Sequence, residues 1–161
     1  MNITAGGGEI SRLVLIHYRR QHIVKRLVLA ATLALALTSA AFAGVQDFGE
    51  FKADIPAGWT ATKDGETVGI VKNDNTASMS VTVDSTDGAS LEEIANAFVA
   101  ELKGKNLKKD GEAYTFTFDN GNGVNSDAVI VTDSGKYALI VVTGRENAPE
   151  EVAQILSSIK Q

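Results

Sequence analysis

"DAVIVTDSGKYALIVVT", residues 127–143, contains two apolar runs with a short polar break between them. Each run has the length of a β-strand and is apolar at nearly consecutive positions, which is typical of strands covered on both faces of a sheet. Ser134 and Gly135 lie in the break and suit a two-residue hairpin turn. The stretch therefore predicts two antiparallel strands at the centre of a sheet.

The segments around this hairpin show the two-residue period of half-buried strands. In "ASMSVTVD", residues 77–84, Met79, Val81 and Val83 alternate with hydroxyl and acid side chains. "FGEFKADIP", "TVGIVK" and "YTFTFD" alternate in the same way. The apolar residues predicted to share a face within each of these segments are Phe51, Ala53 and Ile55, then Val68 and Ile70, and then Tyr114, Phe116 and Phe118.

Two further segments change to helical spacing. Ser90 and Glu93 have the spacing of a capping box, and Gly104 is expected to end the helix that they begin. Pro149 is expected at the first position of the second helix. The apolar stripes are Leu91, Ile94, Ala95, Phe98 and Leu102 in the first helix and Val152, Ile155, Leu156 and Ile159 in the second. Both stripes have the spacing of faces that pack onto a sheet.

Together these segments predict one α+β domain over residues 44–161. The expected order is βββα-βββα, with a mainly antiparallel six-stranded sheet and two packed helices.

"KRLVLAATLALALTSAAFAG", residues 25–44, has the charge, length and small residues of a secretory signal peptide. Its apolar run of about 11 residues is short for a membrane span, which needs about 20. Ala41 and Ala43 fit the small residues of a cleavage site, with the cut after Ala43. We therefore predict a signal peptide at 24–43; the alternative is an uncleaved N-terminal anchor. The mature chain is expected in the periplasm, or outside the cell, with no lasting membrane anchor.

Residues 1–23 precede what is already a complete signal. We interpret them as a dispensable N-terminal extension, with translation starting near Val24.

After residue 43 the 15 basic and 20 acidic side chains of the chain fall to 10 and 19, a formal net charge of −9. An acidic protein of this kind is a poor partner for nucleic acid or an anionic membrane surface. Both histidines lie before residue 44, and the chain has no cysteine. This composition excludes Ser-His and Cys-His catalysis, zinc sites with nitrogen or sulfur ligands, and dithiol chemistry. We expect no metal and no cofactor.

"FKADIPAGW", residues 51–59, ends in Pro-x-Gly-Trp, and "YALIVVTG" occupies residues 137–144. With the expected order of elements over about 48–160, these motifs resemble the PsbP/DcrB-like superfamily. The resemblance implies a curved antiparallel sheet between helices. It also implies a binding or assembly protein without enzymatic activity, and it identifies no partner, because the members of the superfamily bind unrelated molecules.

Trp59 and Arg145 are the candidate interaction residues, and each has two interpretations. Trp59 is either a core plug at a strand end or an exposed anchor for a partner. Arg145 either forms a surface ion pair with Glu146 or a neighbour, or binds a carboxylate or phosphate.

Three other features have structural explanations. The loop from Asp119 to Asp127 fails the ligand spacing of a calcium loop and is predicted to be a hairpin loop. The acidic pairs at 92–93 and 150–151 favour the positive ends of their helices. The lysine cluster is interpreted as a solvated connection, with an anion-binding patch as the alternative; it comprises Lys103, Lys105, Lys108 and Lys109.

No residue is assigned to catalysis. The sequence favours an exported, non-enzymatic binding or accessory protein of the bacterial cell envelope, acting on another envelope protein. A small-ligand carrier with a cavity between sheet and helices is the alternative. A hydrolase that uses carboxylates alone is the least favoured class.

Protein isolated from cells should begin at Gly44, because signal peptidase is expected to cut after Ala43. Mass spectrometry of the N-terminal peptide measures this directly. A chain that keeps residues 24–43 would support the anchor, and any peptide from residues 1–23 would show that the extension is translated.

Overall fold

A computed structural model describes residues 43–121 and 123–160. The predicted signal peptide, apart from Ala43, and the extension at 1–23 lie outside the described residues. The strands are β1 Gly44–Asp47, β2 Lys52–Ile55, β3 Trp59–Asp64, β4 Thr67–Lys72, β5 Ser78–Ser85, β6 Lys105–Asp110, β7 Ala113–Asp119, β8 Asn125–Asp133 and β9 Lys136–Thr143. The helices are α1 Leu91–Leu102 and α2 Pro149–Ser158, and a 3₁₀ turn at Arg145–Asn147 precedes α2.

Seven strands form one antiparallel sheet in the order β3-β4-β5-β9-β8-β7-β6. The hairpin of β1 and β2 is a separate two-stranded sheet. The predicted hairpin of β8 and β9 is confirmed, and β9 is the middle strand. Ser134 and Gly135 form its turn with φ values of 49° and 79°. Positive φ at both positions matches the right-handed twist of the paired strands.

Residues directly opposite each other in an antiparallel pair lie on the same face, so the register assigns each side chain to a face. On one face, Ile140 of β9 lies between Val81 of β5 and Val129 of β8. This face packs against the β1–β2 hairpin and α2 in one buried cluster, and we call it the α2 face. On the other face, Leu139 lies beside Ile130, and α1 covers β7 and β8. We call it the α1 face.

The α2 face carries most of the buried core. Its cluster joins the sheet to residues of the hairpin and of α2, including Ala53, Ile55, Val152 and Ile155. Truncation of such a buried aliphatic side chain to Ala costs about 2–5 kcal/mol in comparable cores. The burial of Phe51, Ala53 and Ile55 confirms the face predicted from "FGEFKADIP".

The predicted capping box at the start of α1 is present. The backbone N–H of Ser90 donates to Glu93 Oε2 at 2.8 Å, and the N–H of Glu93 donates to Ser90 Oγ at 3.3 Å. Ile94, Ala95 and Phe98 are buried against the sheet. The Phe98 ring meets the Tyr137 ring at 5.7 Å in an edge arrangement. The cap and the apolar stripe together fix how α1 lies on β7 and β8.

The predicted role of Gly104 needs correction. The left-handed residue that ends α1 is Lys103, with φ 53°. Gly104 donates its N–H to Val99 O at 2.8 Å. A Cβ at Gly104 would lie 2.7 Å from Cδ2 of Phe116, so the small residue is needed for packing.

The α+β class, the antiparallel sheet and the two packed helices are confirmed, but the six-strand count and the βββα-βββα order are wrong. The described residues contain five strands before α1 and four after it. The missed strands are β1, β3 and β6, and each lies at a sheet edge. Edge strands bury few side chains, so their hydrophobic alternation is weak.

None of the helices in the described ranges is long and apolar enough to cross a membrane.

Replacing Glu93 by Gln should destabilise the domain in a pH-dependent way. The pKa of Glu93 lies below its ordinary value of 4.5, first because the N–H of Ser90 donates to the carboxylate. The ionised carboxylate therefore stabilises the fold above pH 4.5, and this contribution is lost as the pH falls through the lowered pKa of the folded state. Urea unfolding at pH 7 and pH 3 should show a difference from the unmodified protein that shrinks on acidification.

Glu92→Gln is the matched control, because Glu92 is exposed in the same helical turn. An equal effect of the two substitutions would show that the helix dipole, and not the capping box, carries the stabilisation.

Candidate functional site

Trp59 and Arg145, far apart in sequence, lie at the same end of the seven-stranded sheet. Trp59 begins β3 opposite Lys72, the last residue of β4. Arg145 follows the end of β9, where Thr143 pairs with Ser78 at the start of β5. We call this the Arg145 end of the sheet.

The turn between β4 and β5 connects the two candidate residues at the Arg145 end. Asn73 N donates to Gly58 O at 2.8 Å, which holds the turn before Trp59. On the other side, Asn147 Nδ2 donates to Thr76 O at 2.9 Å. Residues 73–76 thus bridge the segment before β3 and the segment before α2.

Asp74 holds this bridging turn in shape. Its Oδ1 accepts from the hydroxyl of Thr76 at 2.6 Å and from the N–H of Thr76 at 3.0 Å. Its Oδ2 lies 3.3 Å from Lys72 Nζ. These interactions, the Thr76 hydroxyl first, lower the pKa of Asp74. The carboxylate is therefore ionised at neutral pH and is used for structure.

Gly144 brings the Arg145 turn against the bridging turn. Its φ is 69°, and a Cβ built there would lie 2.2 Å from Thr76 O. A residue with a side chain would be strained in its backbone and would also push the two turns apart. The close approach depends on glycine at this position.

Trp59 is 1% exposed and belongs to the cluster on the α2 face. This burial agrees with the interpretation of Trp59 as a core plug. The other interpretation, an exposed anchor, would require a side chain that is accessible to solvent. Its indole Nε1 is buried without an acceptor among the described residues. That a partner uses the strand end anchored by Trp59 stays a prediction.

Arg145 is exposed in the 3₁₀ turn. Within residues 43–121 and 123–160 it forms no ion pair with Glu146 or with any other carboxylate. The ion-pair interpretation therefore has no support from the geometry, and the guanidinium can reach a carboxylate or phosphate of another molecule. Such binding stays a prediction.

Asp119, which begins the glycine-rich loop, is occupied within that loop. Its Oδ1 accepts from Gly121 N at 2.8 Å and from Gly123 N at 3.1 Å. This arrangement fits a hairpin loop between β7 and β8. No group of three or more His, Cys, Asp or Glu side chains in the described part of the chain could hold a metal ion.

Every carboxylate in the described ranges whose pKa is clearly shifted has it lowered. The pKa of Asp47 is lowered first by the N–H of Gly49, and that of Glu50 by its hydrogen bond from Lys136. Asp74 and Glu93 complete the group. A general acid that works at neutral pH needs the opposite shift. These four carboxylates can serve as hydrogen-bond acceptors and ion-pair partners.

The lysine cluster is not a connection, because most of it lies on β6, the last strand of the sheet. The sequence analysis did not predict this strand, because Leu107 is its one apolar residue. A signal was present, however, because lysines are common on exposed edge strands.

The exposed surface has few large apolar side chains. Among the described residues, Val45 at 74% and Val124 at 42% are the exposed large hydrophobic residues. Contact with another molecule would therefore rely mainly on polar and charged groups.

No protein-family model matches the chain, and no curated protein matches it. Among solved structures, cyanobacterial PsbP (CyanoP) from Synechocystis sp. PCC 6803 matches with a TM-score of 0.52 at 14% sequence identity, over 79% of this chain and 98% of that one. A crystal structure from Bacteroides thetaiotaomicron VPI-5482 matches with a TM-score of 0.48 at 14% identity, over 68% of this chain. This chain spans 44% of the Bacteroides protein. The resemblance to PsbP is thus confirmed as a relationship of fold.

Gly144→Ala should destabilise the domain more than Gly65→Ala. Both glycines have a left-handed backbone, with φ 69° and 61°, so both substitutions carry a strain of about 1–2 kcal/mol. A Cβ at Gly65 meets nothing within 4 Å, whereas one at Gly144 meets Thr76 O. Urea unfolding of the two variants isolates the contact, and equal losses would show that the two turns can separate without cost.

Proposed function

We propose that this chain is an exported, non-enzymatic binding or accessory protein of the bacterial cell envelope, which acts by contact with another envelope protein. The observation that carries the proposal is the state of its acidic groups. After residue 43 the chain has neither histidine nor cysteine, so carboxylates are the main candidates for acid–base chemistry. The four with shifted pKa values are held ionised by structural hydrogen bonds.

The fold supports the proposal from a second direction. Cyanobacterial PsbP shares the architecture. The resemblance carried by the motifs at 51–59 and 137–144 implies a binding or assembly protein. A fold can carry many functions, so this support concerns the class of function and leaves the partner open.

Export is the part of the proposal that rests on the sequence. The signal peptide predicted at 24–43 would direct the chain to the periplasm.

The contacts available to a partner are polar. Arg145 at one end of the sheet and the lysines of β6 at one edge have exposed side chains, while Val45 and Val124 are the exposed large apolar residues of the described ranges. An interface of this composition resembles the polar type found in complexes that form and separate.

The alternative is a small-ligand carrier with a cavity between sheet and helices. The described side chains between the sheet and α2 form one packed cluster, in which Ile70, Val81, Val152 and Ile155 are each 0% exposed. This packing favours the accessory protein over the carrier.

Site-specific photocrosslinking in cells tests the proposal. A photoreactive residue is placed at one exposed position at a time: Asn75 at the Arg145 end, Lys108 on β6, and Ser134 at the opposite end of the sheet. We expect one envelope protein to be captured reproducibly, from some positions and not from others, because a specific interface covers one part of the surface.

Capture of no reproducible partner, together with a small molecule retained in native mass spectrometry of the purified protein, would contradict the proposal and establish the carrier. Loss of function on substitution of a buried pair of carboxylates would establish the hydrolase.

A further inference from the structure

β6 presents an edge of the sheet with a net positive charge, from three lysines and Asp110. It pairs with β7 on one side, and with no strand of the described residues on the other. Lys103, Lys105, Lys108 and Lys109 are all exposed. In the part of the chain that the structure describes, none of the four forms an ion pair.

Four of the five other lysines in the described ranges have side-chain partners. Lys52 pairs with Asp47 at 3.1 Å and Lys72 with Asp74 at 3.3 Å. Lys136 pairs with Glu50, and Lys63 donates to the carbonyl oxygen of Phe48. Four of the ten basic side chains after residue 43 thus lie within seven residues, on β6 and just before it, although residues 44–161 have a net charge of −9.

A bulge in β6 arranges these lysines. Lys105 lies opposite Thr117 and Lys108 opposite Thr115, with a register shift between them. Asn106, at φ 59°, forms the irregularity, and its Nδ2 donates to Thr117 Oγ1 at 3.2 Å. Because Thr115 and Thr117 share a face, Lys105 and Lys108 share it too, which three residues of regular strand would not allow.

Lys109 lies on the opposite face. It pairs in register with Tyr114, and its Nζ is 6.0 Å from the centre of the Tyr114 ring. An extended chain alongside β6 would therefore have a lysine near it on both faces of the sheet.

One role of edge lysines is to prevent two sheet edges from pairing. A second copy of β6 would bring lysine against lysine, and like charges opposite each other disfavour pairing. The same charges have the reverse effect on a strand whose side chains are acidic, because opposite charges across a strand pair are favourable.

We propose that the free edge of β6 binds an extended acidic segment of a partner protein as an added strand. The inference rests on the proposed function and identifies the surface and the chemistry of the partner. The backbone groups of the edge supply the pairing, and the lysines on both faces select acidic side chains. An anionic membrane is a poorer occupant, because the net charge of −9 opposes approach to a broad negative surface.

The probe is an eight-residue peptide of alternating Glu and Val with a fluorescent label, and fluorescence anisotropy measures its binding to the chain that begins at Gly44. Two control peptides are used. One has Gln in place of Glu and reports on charge, and the other has N-methyl groups on alternate backbone nitrogens and reports on strand pairing. We expect the Glu peptide to bind at least about tenfold more tightly than either, with an affinity that falls as salt increases.

The variant K105Q/K108Q/K109Q should lose at least about tenfold in affinity for the Glu peptide. The matched control K52Q/K136Q/K160Q removes the same charge from three exposed lysines that lie outside β6 and outside the bridging turn, and its affinity should stay within about twofold. Hydrogen exchange should show protection of residues 105–110 on binding. Circular dichroism checks that both variants fold.

Several results would overturn the inference: no binding of the Glu peptide at millimolar concentration, equal losses in the two triple variants, or equal binding of the N-methylated peptide. Binding of the β6 edge to vesicles of anionic phospholipid in preference to the peptide would also do so, and would assign the edge to a membrane. Self-association through β6 in the unmodified protein would assign it to a second copy. If photocrosslinking still captures an envelope protein from Asn75 or Ser134 alone, the proposed function stands while the β6 inference fails.

Discussion

The burial of β9 on both of its faces is the constraint on which the structure depends. Tyr137 and Leu139 point to the α1 face, while Ala138 and Ile140 point to the α2 face, and all four are buried. A strand of this kind must lie between two layers, because one exposed face would leave large apolar side chains in water. The helices therefore lie on opposite faces, with β5 and β8 beside the central strand.

The two faces of the sheet are covered over different strands. α2 and the β1–β2 hairpin bury the α2 face over β3, β4, β5 and β9, whereas α1 covers β7 and β8 on the other face. Each edge of the sheet thus has one helical layer near it, while residues 62–64 of β3 and all residues of β6 except Leu107 are exposed. Protection of these edges falls to their polar side chains, which explains why their sequences differ from those of the central strands.

The polar groups of the domain are used mainly to hold its turns. Asp74 closes the β4–β5 turn, Asp119 the glycine-rich loop, and Glu93 the first turn of α1. The donors to Asp74 and Glu93 lower the pKa of both carboxyl groups, so at neutral pH neither has a proton to donate as a general acid. Arg145 and the β6 lysines form no ion pair in the described ranges, and we propose that contact with other molecules uses these charges.

Local spacing in the amino-acid sequence is enough to predict the elements that have a strong period. The β8–β9 hairpin, the capping box of Ser90 and Glu93, and the apolar stripes of both helices follow from spacing, because each repeats within a single strand or helix. Only the tertiary structure shows the order of the strands across the sheet, the position of Trp59 and Arg145 at the same end of it, and the close contacts with Phe116 and Thr76 that require Gly104 and Gly144. It also revealed β1, β3 and β6 as strands. These features depend on residues that are distant in the chain, so no local sequence pattern predicts them. An edge strand forms because its backbone pairs with that of a neighbouring strand. A glycine is required where a side chain would collide with an atom of another segment.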